Sequence, residues 1–536
     1  MQNRFGKLFG ANSISSATVI LIITLFISNI LGVVRDHYLA QKISTNLLDT
    51  YYAAFRIPDL IFNILVLGAI TASFIPIFSK YLNGNNNLKK AWHIANSFLN
   101  ISALFILISS IALFFLMPYL VPILVPKFDL AKQTLTVNLS RLLLISPILF
   151  TLSYIFGAIL NSFKRFFVYS LAPLVYNLCI IIATVFWANE FNVYAVTYGV
   201  IIGAFFHMLI QFVQLRKIGY KFNFAFDFAD SSVRQIFYLM IPRTIGLGAN
   251  QIMLFVYTAI ASTLAAGSVA IFNLADNIQT MPTVVFGISL ATAIFPTLAE
   301  HINTRKIPEF TQHIFKSIKA VAYILIPLSI LVILLREPIV RLILGSGEFG
   351  WDQTIATYNT LGFFAISLFP QGIIPLLARA FYAMSDTKTP TIVSILSVVL
   401  GIVFAYILTP QLKIQGLALA FTLASFFNAI TLYFLLKKKI SFQPEENHLQ
   451  IYIAKIIAAS IVMGIIVFVF KNLLITHIGA INLTRFWGVS AQFFISAAIG
   501  LLTYLYISRK LKLGQYDEFI NLIKRFFAHN GQKQSK

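Results

Sequence analysis

Ser28-Asn29-Ile30-Leu31-Gly32-Val33-Val34-Arg35-Asp36 closes a long apolar run that begins at Ile14, and residues 14–34 contain no charge at all. A helix of about 20 apolar residues crosses the hydrocarbon core of a bilayer. Arg4 and Lys7 precede the run, as in a signal peptide. The run is too long for that and has no small-residue cleavage site, which makes it a retained first span. Such runs recur along the chain. Stretches near 14–34, 51–79, 93–117, 138–160, 168–188, 193–215, 235–264, 270–299, 317–335, 355–382, 391–409, 414–436, 452–472 and 486–507 each suit a membrane helix.

Composition agrees: of 536 residues 58% are hydrophobic and 11% charged, with mean hydropathy +0.83. Soluble domains carry about 25% charge, so a water-soluble enzyme is excluded. The formal charge is +22, from 40 Lys and Arg against 18 Asp and Glu. In a soluble protein that excess would suggest nucleic acid; here it reports orientation. With the N-terminus cytoplasmic, the loops on that side carry Lys89-Lys90, Lys164-Arg165, Arg216-Lys217, Arg305-Lys306, Lys437-Lys438-Lys439 and Arg509-Lys510. The opposite side has far fewer, among them Arg35, Lys42, Lys127, Lys132, Arg336, Arg341, Lys413, Lys471 and Arg485. This asymmetry fits the positive-inside rule with both termini cytoplasmic and leaves no nucleic-acid partner to be expected. The lone Cys179 cannot form an internal disulfide. The loops are too short for a folded catalytic domain, so transport or chemistry must take place in the spans or at their mouths.

Features repeat about 220 residues apart. Pro76 answers Pro296, Pro147 answers Pro370, Phe205-Phe206 answers Phe426-Phe427, and Arg216-Lys217 answers Lys437-Lys438. The expected fold is an all-α integral membrane protein of fourteen transmembrane helices. Two six-helix lobes are related by a pseudo-two-fold along the membrane normal, with two helices added at the C-terminus. Residues 1–222 form the first lobe and 223–440 the second; 441–508 hold the last two spans and 509–536 a basic cytoplasmic tail. Two parallel lobes suit an alternating-access transporter; a duplicated channel or scaffold is the competing reading.

Ions inside a membrane are costly and are functional candidates by default. Arg243 follows Pro242 at the start of the seventh span, where it either faces a cavity or snorkels to the headgroups. Arg35 either meets an anionic ligand, with Asp36 orienting it, or forms an end-of-helix ion pair with Asp36. Asp49 and Arg56 are seven residues apart and share a helix face, and Pro58 bends that helix. Asp276, with Asn277 and Pro282, gives the eighth span a similar polar, bent face. Arg379, two turns before Asp386-Thr387-Lys388-Thr389-Pro390, reads as a structural anchor. The eight histidines show no metal spacing, and no P-loop, dinucleotide fingerprint or nucleophile elbow is present. No cofactor is expected.

Several of these stretches carry a family resemblance. They are Leu31 to Asp36, Asp49 to Pro58, Gly157 to Asn161 with Arg165-Phe166 and Ala172-Pro173, Pro242 to Leu247, Gly347-Glu348-Phe349, and Ala378 to Ala383 with Asp386 to Pro390. In that order they resemble the MurJ (MviN) lipid II flippases of the multidrug/oligosaccharidyl-lipid/polysaccharide exporter superfamily. The resemblance implies a V-shaped pair of lobes, a polyprenyl-pyrophosphate substrate, a lipid-tail groove in spans 452–472 and 486–507, and a role in peptidoglycan and cell-wall biogenesis. It places Arg35, Asp36 and Asp49 in or near the cavity.

The chain departs from the family's pattern at several positions. Asn29, Phe62-Asn63 and Asn277 stand where many members are basic, and Leu67 stands before Gly68 where many have glutamate. Arg35, Arg56 and Arg243 are then left to hold the pyrophosphate. Some members bind sodium through carboxylates including one in the seventh span, but residues 235–264 contain no Asp or Glu; coupling to sodium or to the membrane potential stays open. The expected protein is a monomeric lipid II flippase and not an enzyme. Rival readings are a flippase for an O-antigen or exopolysaccharide unit, a drug or cation antiporter, and a membrane glycosyl-lipid transferase.

Overall fold

In lipid every backbone amide and carbonyl must be satisfied within the protein, which leaves helices and closed barrels as spanning structures. In the computed structural model the described residues are 14–63, 73–83, 87–440, 445–476 and 485–517, and their regular elements are all helical. They are α1 (Ile14–Lys42), α2 (Thr45–Phe62), α3 (Ile75–Asn83), α4 (Leu88–Leu124), α5 (Leu130–Leu143), α6 (Ile145–Ser162), α7 (Phe166–Phe191), α8 (Val193–Lys217) and α9 (Ser231–Ser262). There follow α10 (Ser268–Pro282), α11 (Ser289–Asn303), α12 (Ile307–Ile343), α13 (Trp351–Ala365), α14 (Leu368–Ala383), α15 (Lys388–Leu412), α16 (Ile414–Lys439), α17 (Glu445–Thr476) and α18 (Phe486–Lys510). Among the described residues ten helical stretches are long and apolar enough to cross a membrane, or eleven with α13 and α14, bent by 45°, taken as one.

Local chemistry sets several boundaries. Asp129 caps α5 by accepting the Lys132 amide at 2.8 Å, and Asp230 caps α9 through the amides of Ser232 and Val233. Pro282 ends the regular ladder of α10, and a π-helical turn, Thr283–Ile288, leads into α11. At Pro282, where the sequence predicts a bent span, the helix widens into this π-helical turn.

Contacts group the chain into two compact units. One comprises Met1–Leu274, Ile343–Gln353 and Ser394–Leu417, the other Ala275–Leu342, Thr354–Val393 and Ala418–Lys536. In the first unit Phe74, Phe78, Phe98, Ile94 and Ile159 are fully buried in one core, and Leu39, Ile43, Leu48, Leu139 and Val200 in another. Its segment Gly347-Glu348-Phe349 docks on the end of α1, where the Glu348 amide donates to the Gln41 carbonyl at 3.1 Å. Gly347 has φ +63, and a Cβ there would stand 2.1 Å from the same carbonyl, so glycine is required. In the second unit Phe310, Leu325, Leu376 and Leu436 form one core. There α17 and α18 pack on α12 through Met463, Val467 and Tyr504, whose hydroxyl donates to the Tyr323 carbonyl at 2.8 Å. Large apolar side chains left exposed, such as Phe105, Phe115, Phe186, Ile407, Phe468 and Leu502, suit a surface facing acyl chains.

Candidate functional site

The first unit gathers most of the charged candidates on α1 and α2. Because α1 continues to Lys42, Arg35 is not at a helix end but about two turns inside it. Its Nε and NH2 donate to Asp36 Oδ1 at 3.0 and 2.8 Å, and NH1 donates to Asn177 Oδ1 on α7 at 3.3 Å. The Arg35 side chain is 22% exposed and that of Asp36 4%. Asp36 therefore orients the guanidinium and offsets its charge, while one edge of it remains accessible. Tyr51 and Tyr52 lie near enough to feel that charge. The Tyr52 hydroxyl is buried and makes no hydrogen bond to the protein, which leaves a donor beside the arginine.

Asp49 and Arg56 do share a face of α2, and both reach the start of α10. Asp49, 1% exposed, accepts from the Gly267 amide at 2.7 Å, the Ala270 amide at 2.9 Å and Lys132 Nζ at 2.8 Å. Gly267 has φ +90, and a Cβ there would press on Thr45. Asp49 thus caps a helix from another segment, at the positive end of its dipole. Two turns further on, Arg56 donates Nε to Thr258 Oγ1 at 2.8 Å and NH2 to Asn273 Oδ1. Pro58 sits within α2, and five residues later the Asn63 side-chain amide donates back to the Asp59 carbonyl at 2.8 Å. Where many family members are basic, Phe62 is 7% exposed and packs on Phe150 and Tyr154 with ring centroids 5.6 and 5.3 Å away.

The remaining candidates are spread more widely. Asn29 is half-buried on α1. On α10 the Asp276 carboxylate accepts from Gln279 Nε2 at 2.9 Å, and Asn277 follows it. Arg379 on α14 donates NH1 to the Ile288 carbonyl at 3.2 Å, anchoring the π-helical turn. Gly68 lies outside the described residues. Pro242 and Arg243 belong to the backbone of α9, but their side chains are outside the described residues.

Asp386 is a connector between helix ends. It accepts from the Thr389 amide at 3.0 Å and hydroxyl at 2.8 Å, and from Lys439 Nζ at 2.6 Å. Burial pushes its pKa up, but the Lys439 and Thr389 bonds outweigh this and bring it down to about 2. A carboxylate depressed on folding adds stability above its unfolded pKa, roughly 3.9, and loses it as pH falls through the folded value. Asp386→Asn is expected to flatten the stability change between about pH 4 and 2, read by thermal unfolding in detergent; an unchanged acid limb would show that the pairing is not formed.

Sequence reasoning missed several partners. Lys132, counted with a loop, holds Asp49 and lies 4.0 Å over the Phe128 ring. Asn177 and Thr258 are polar residues in otherwise apolar runs, a signal that was available. A buried trio was also missed, in which Ser153 Oγ lies 2.7 Å from His207 Nδ1 and accepts from Gln211 Nε2 at 2.8 Å. The ligand atoms of His93, Asp227 and Asp230 lie within 4.8 Å of one another, close enough for a metal. Lys90 already pairs with Asp230, however, and His93 Nε2 sits 3.0 Å from Asp227 Oδ2, so the charges are met within the protein.

A family model described as Lipid II flippase MurJ matches residues 43–485. The chain belongs to the MurJ family. A probable lipid II flippase MurJ from Buchnera aphidicola subsp. Baizongia pistaciae is 30% identical over 497 residues, covering 91% of this chain and 95% of that protein. The corresponding protein of Rickettsia prowazekii is 27% identical over 458 residues, 85% and 90% of the two chains. Among solved structures, a lipid II flippase MurJ in an inward closed conformation superposes with TM-score 0.77 at 24% identity, covering 94% of this chain and 100% of the other. An inward-facing MATE multidrug transporter of the MOP superfamily gives 0.68 at 15%, covering 79% and 98%. At those identities the likeness is one of fold. In this structure Arg35 is held by Asp36 and Asn177, and Arg56 by Thr258 and Asn273.

Proposed function

We propose that this chain is a flippase that moves lipid II from the cytoplasmic to the outer leaflet by alternating access. The observation that carries the reading is membership of the MurJ family over most of the chain. The site supports it chemically. Arg35 is held in place by Asp36 and Asn177 with its side chain 22% exposed, and a fixed, planar guanidinium suits the oxygens of a pyrophosphate. Arg35 and Arg56, joined by Arg243, recognise the anion, and Asp36 orients Arg35. The polyprenyl tail stays in lipid, with α17 and α18 forming its groove.

The architecture goes with this reading: fourteen spans, two six-helix lobes with a pseudo-two-fold axis along the membrane normal, both termini cytoplasmic, and a monomer in the bacterial inner membrane. The neutral Asn29, Phe62 and Asn277 favour one alternative, a flippase for another polyprenyl-linked oligosaccharide. Coupling to sodium or to the membrane potential goes with either substrate.

Complementation tests the proposal. A bacterium depleted of its own lipid II flippase should regain growth when this chain is expressed, and lipid II should cease to accumulate on the cytoplasmic side. An inserted chain that restores neither would overturn it.

A further inference from the structure

On the first unit a cavity of about 700 Å³ opens between α4 and α5, with walls that include Ile111, Phe115, Leu142 and Ile148. Three polar side chains line it: Ser110, Asn138 and Arg141. Arg141 donates Nε to the Phe114 carbonyl at 3.0 Å and stands 4.6 Å over the Phe114 ring. Its terminal nitrogens make no hydrogen bond, and it has no carboxylate partner, among the described residues. Asn138, one turn earlier on α5, is exposed. Ser110 is 5% exposed, and its Oγ has no hydrogen-bond partner.

A guanidinium that has no carboxylate partner and stands beside apolar walls is stabilised when an anion or water reaches it. Its depth says which anion. Phe114 lies on the order of 30 Å along α4 from His93, at 1.5 Å per residue, which is one hydrocarbon thickness. With the span starting near residue 93, as the sequence predicts, the guanidinium falls at the level expected for the far leaflet's phosphates, beside an apolar trough that fits an acyl chain.

We propose that this groove binds an anionic phospholipid, with its phosphate on Arg141 and Asn138 and one acyl chain along Ile111, Phe115 and Ile148. The site is separate from the arginines on α1 and α2 and does not depend on which substrate they take.

Native mass spectrometry of the full chain, released from micelles containing phosphatidylglycerol, tests this. The wild type should retain one phosphatidylglycerol more than Arg141→Gln, whose occupancy should fall about tenfold, the effect of one charge-assisted contact. Arg141→Lys should regain that lipid, which rules out misfolding as the cause of the loss. Equal retention by Arg141→Gln, or loss in both variants, would overturn the proposal. So would displacement of phosphatidylglycerol by an equal concentration of polyprenyl phosphate, which would assign the groove to the substrate's lipid.

Discussion

Arg35→Ala is expected to abolish rescue of a flippase-depleted bacterium while the chain still inserts in the membrane. Two effects contribute and can be separated. The first is structural: Asp36 is 3% exposed and takes two hydrogen bonds from Arg35. Removing one partner of a buried pair leaves an uncompensated charge and costs about 3 to 5 kcal/mol. The second is functional: on the proposed reading, the change removes a cation that meets the pyrophosphate. Arg35→Ala combined with Asp36→Asn removes the stranded charge, so it should recover most of the stability but none of the transport. Arg35→Lys keeps the charge without the planar fork, and partial rescue is expected. Full growth with the double variant, at wild-type levels of inserted protein, would make Arg35 a structural residue only.

The fold was legible because a bilayer imposes a length. An uncharged run such as Ile14 to Val34 has few ways to satisfy its backbone other than as a helix. What such runs hide is where helices bend or overrun the membrane. Nothing in Leu31 to Asp36 shows that α1 continues to Lys42, because polar residues are acceptable in a helix once it leaves lipid or enters protein. The bend between Ala365 and Leu368 was equally hidden, since hydropathy is blind to direction.

The site was half legible for a related reason. The seven-residue spacing of Asp49 and Arg56 put both on one face, and α10 lies against both of them. Their partners come from distant segments, Lys132 from 83 residues away and Asn273 from 217. No local pattern encodes those distances. The same limit applies to the trio of His93, Asp227 and Asp230, whose members are brought together only by the packing of α4 against the segment before α9.

Asp49→Ala is expected to be among the most damaging single changes outside the apolar core. Both carboxylate oxygens are in use, Oδ1 on the Ala270 amide and Oδ2 on the Gly267 amide and Lys132. Alanine leaves two amides at the start of α10 without an acceptor, and it leaves the ammonium of Lys132, whose side chain is 11% exposed, without its counter-ion. A broken buried pair alone costs about 3 to 5 kcal/mol, and the orphaned amides add to it. Asp49→Asn, which keeps one acceptor oxygen but no charge, should fall between wild type and alanine. Adding Lys132→Met to Asp49→Ala should recover part of the loss, because the stranded ammonium goes with it. Thermal unfolding in detergent reads all four proteins, and a stability of Asp49→Ala within about 1 kcal/mol of wild type, small against the cost of a broken buried pair, would show that the cap is dispensable. Transport separates capping from substrate contact. A carboxylate whose oxygens are occupied by the protein has little left for a ligand, so Asp49→Asn that folds should still flip substrate. If it folds normally and fails to transport, Asp49 meets the substrate or a coupling ion, and its place at the start of α10 is a resting contact broken during the cycle.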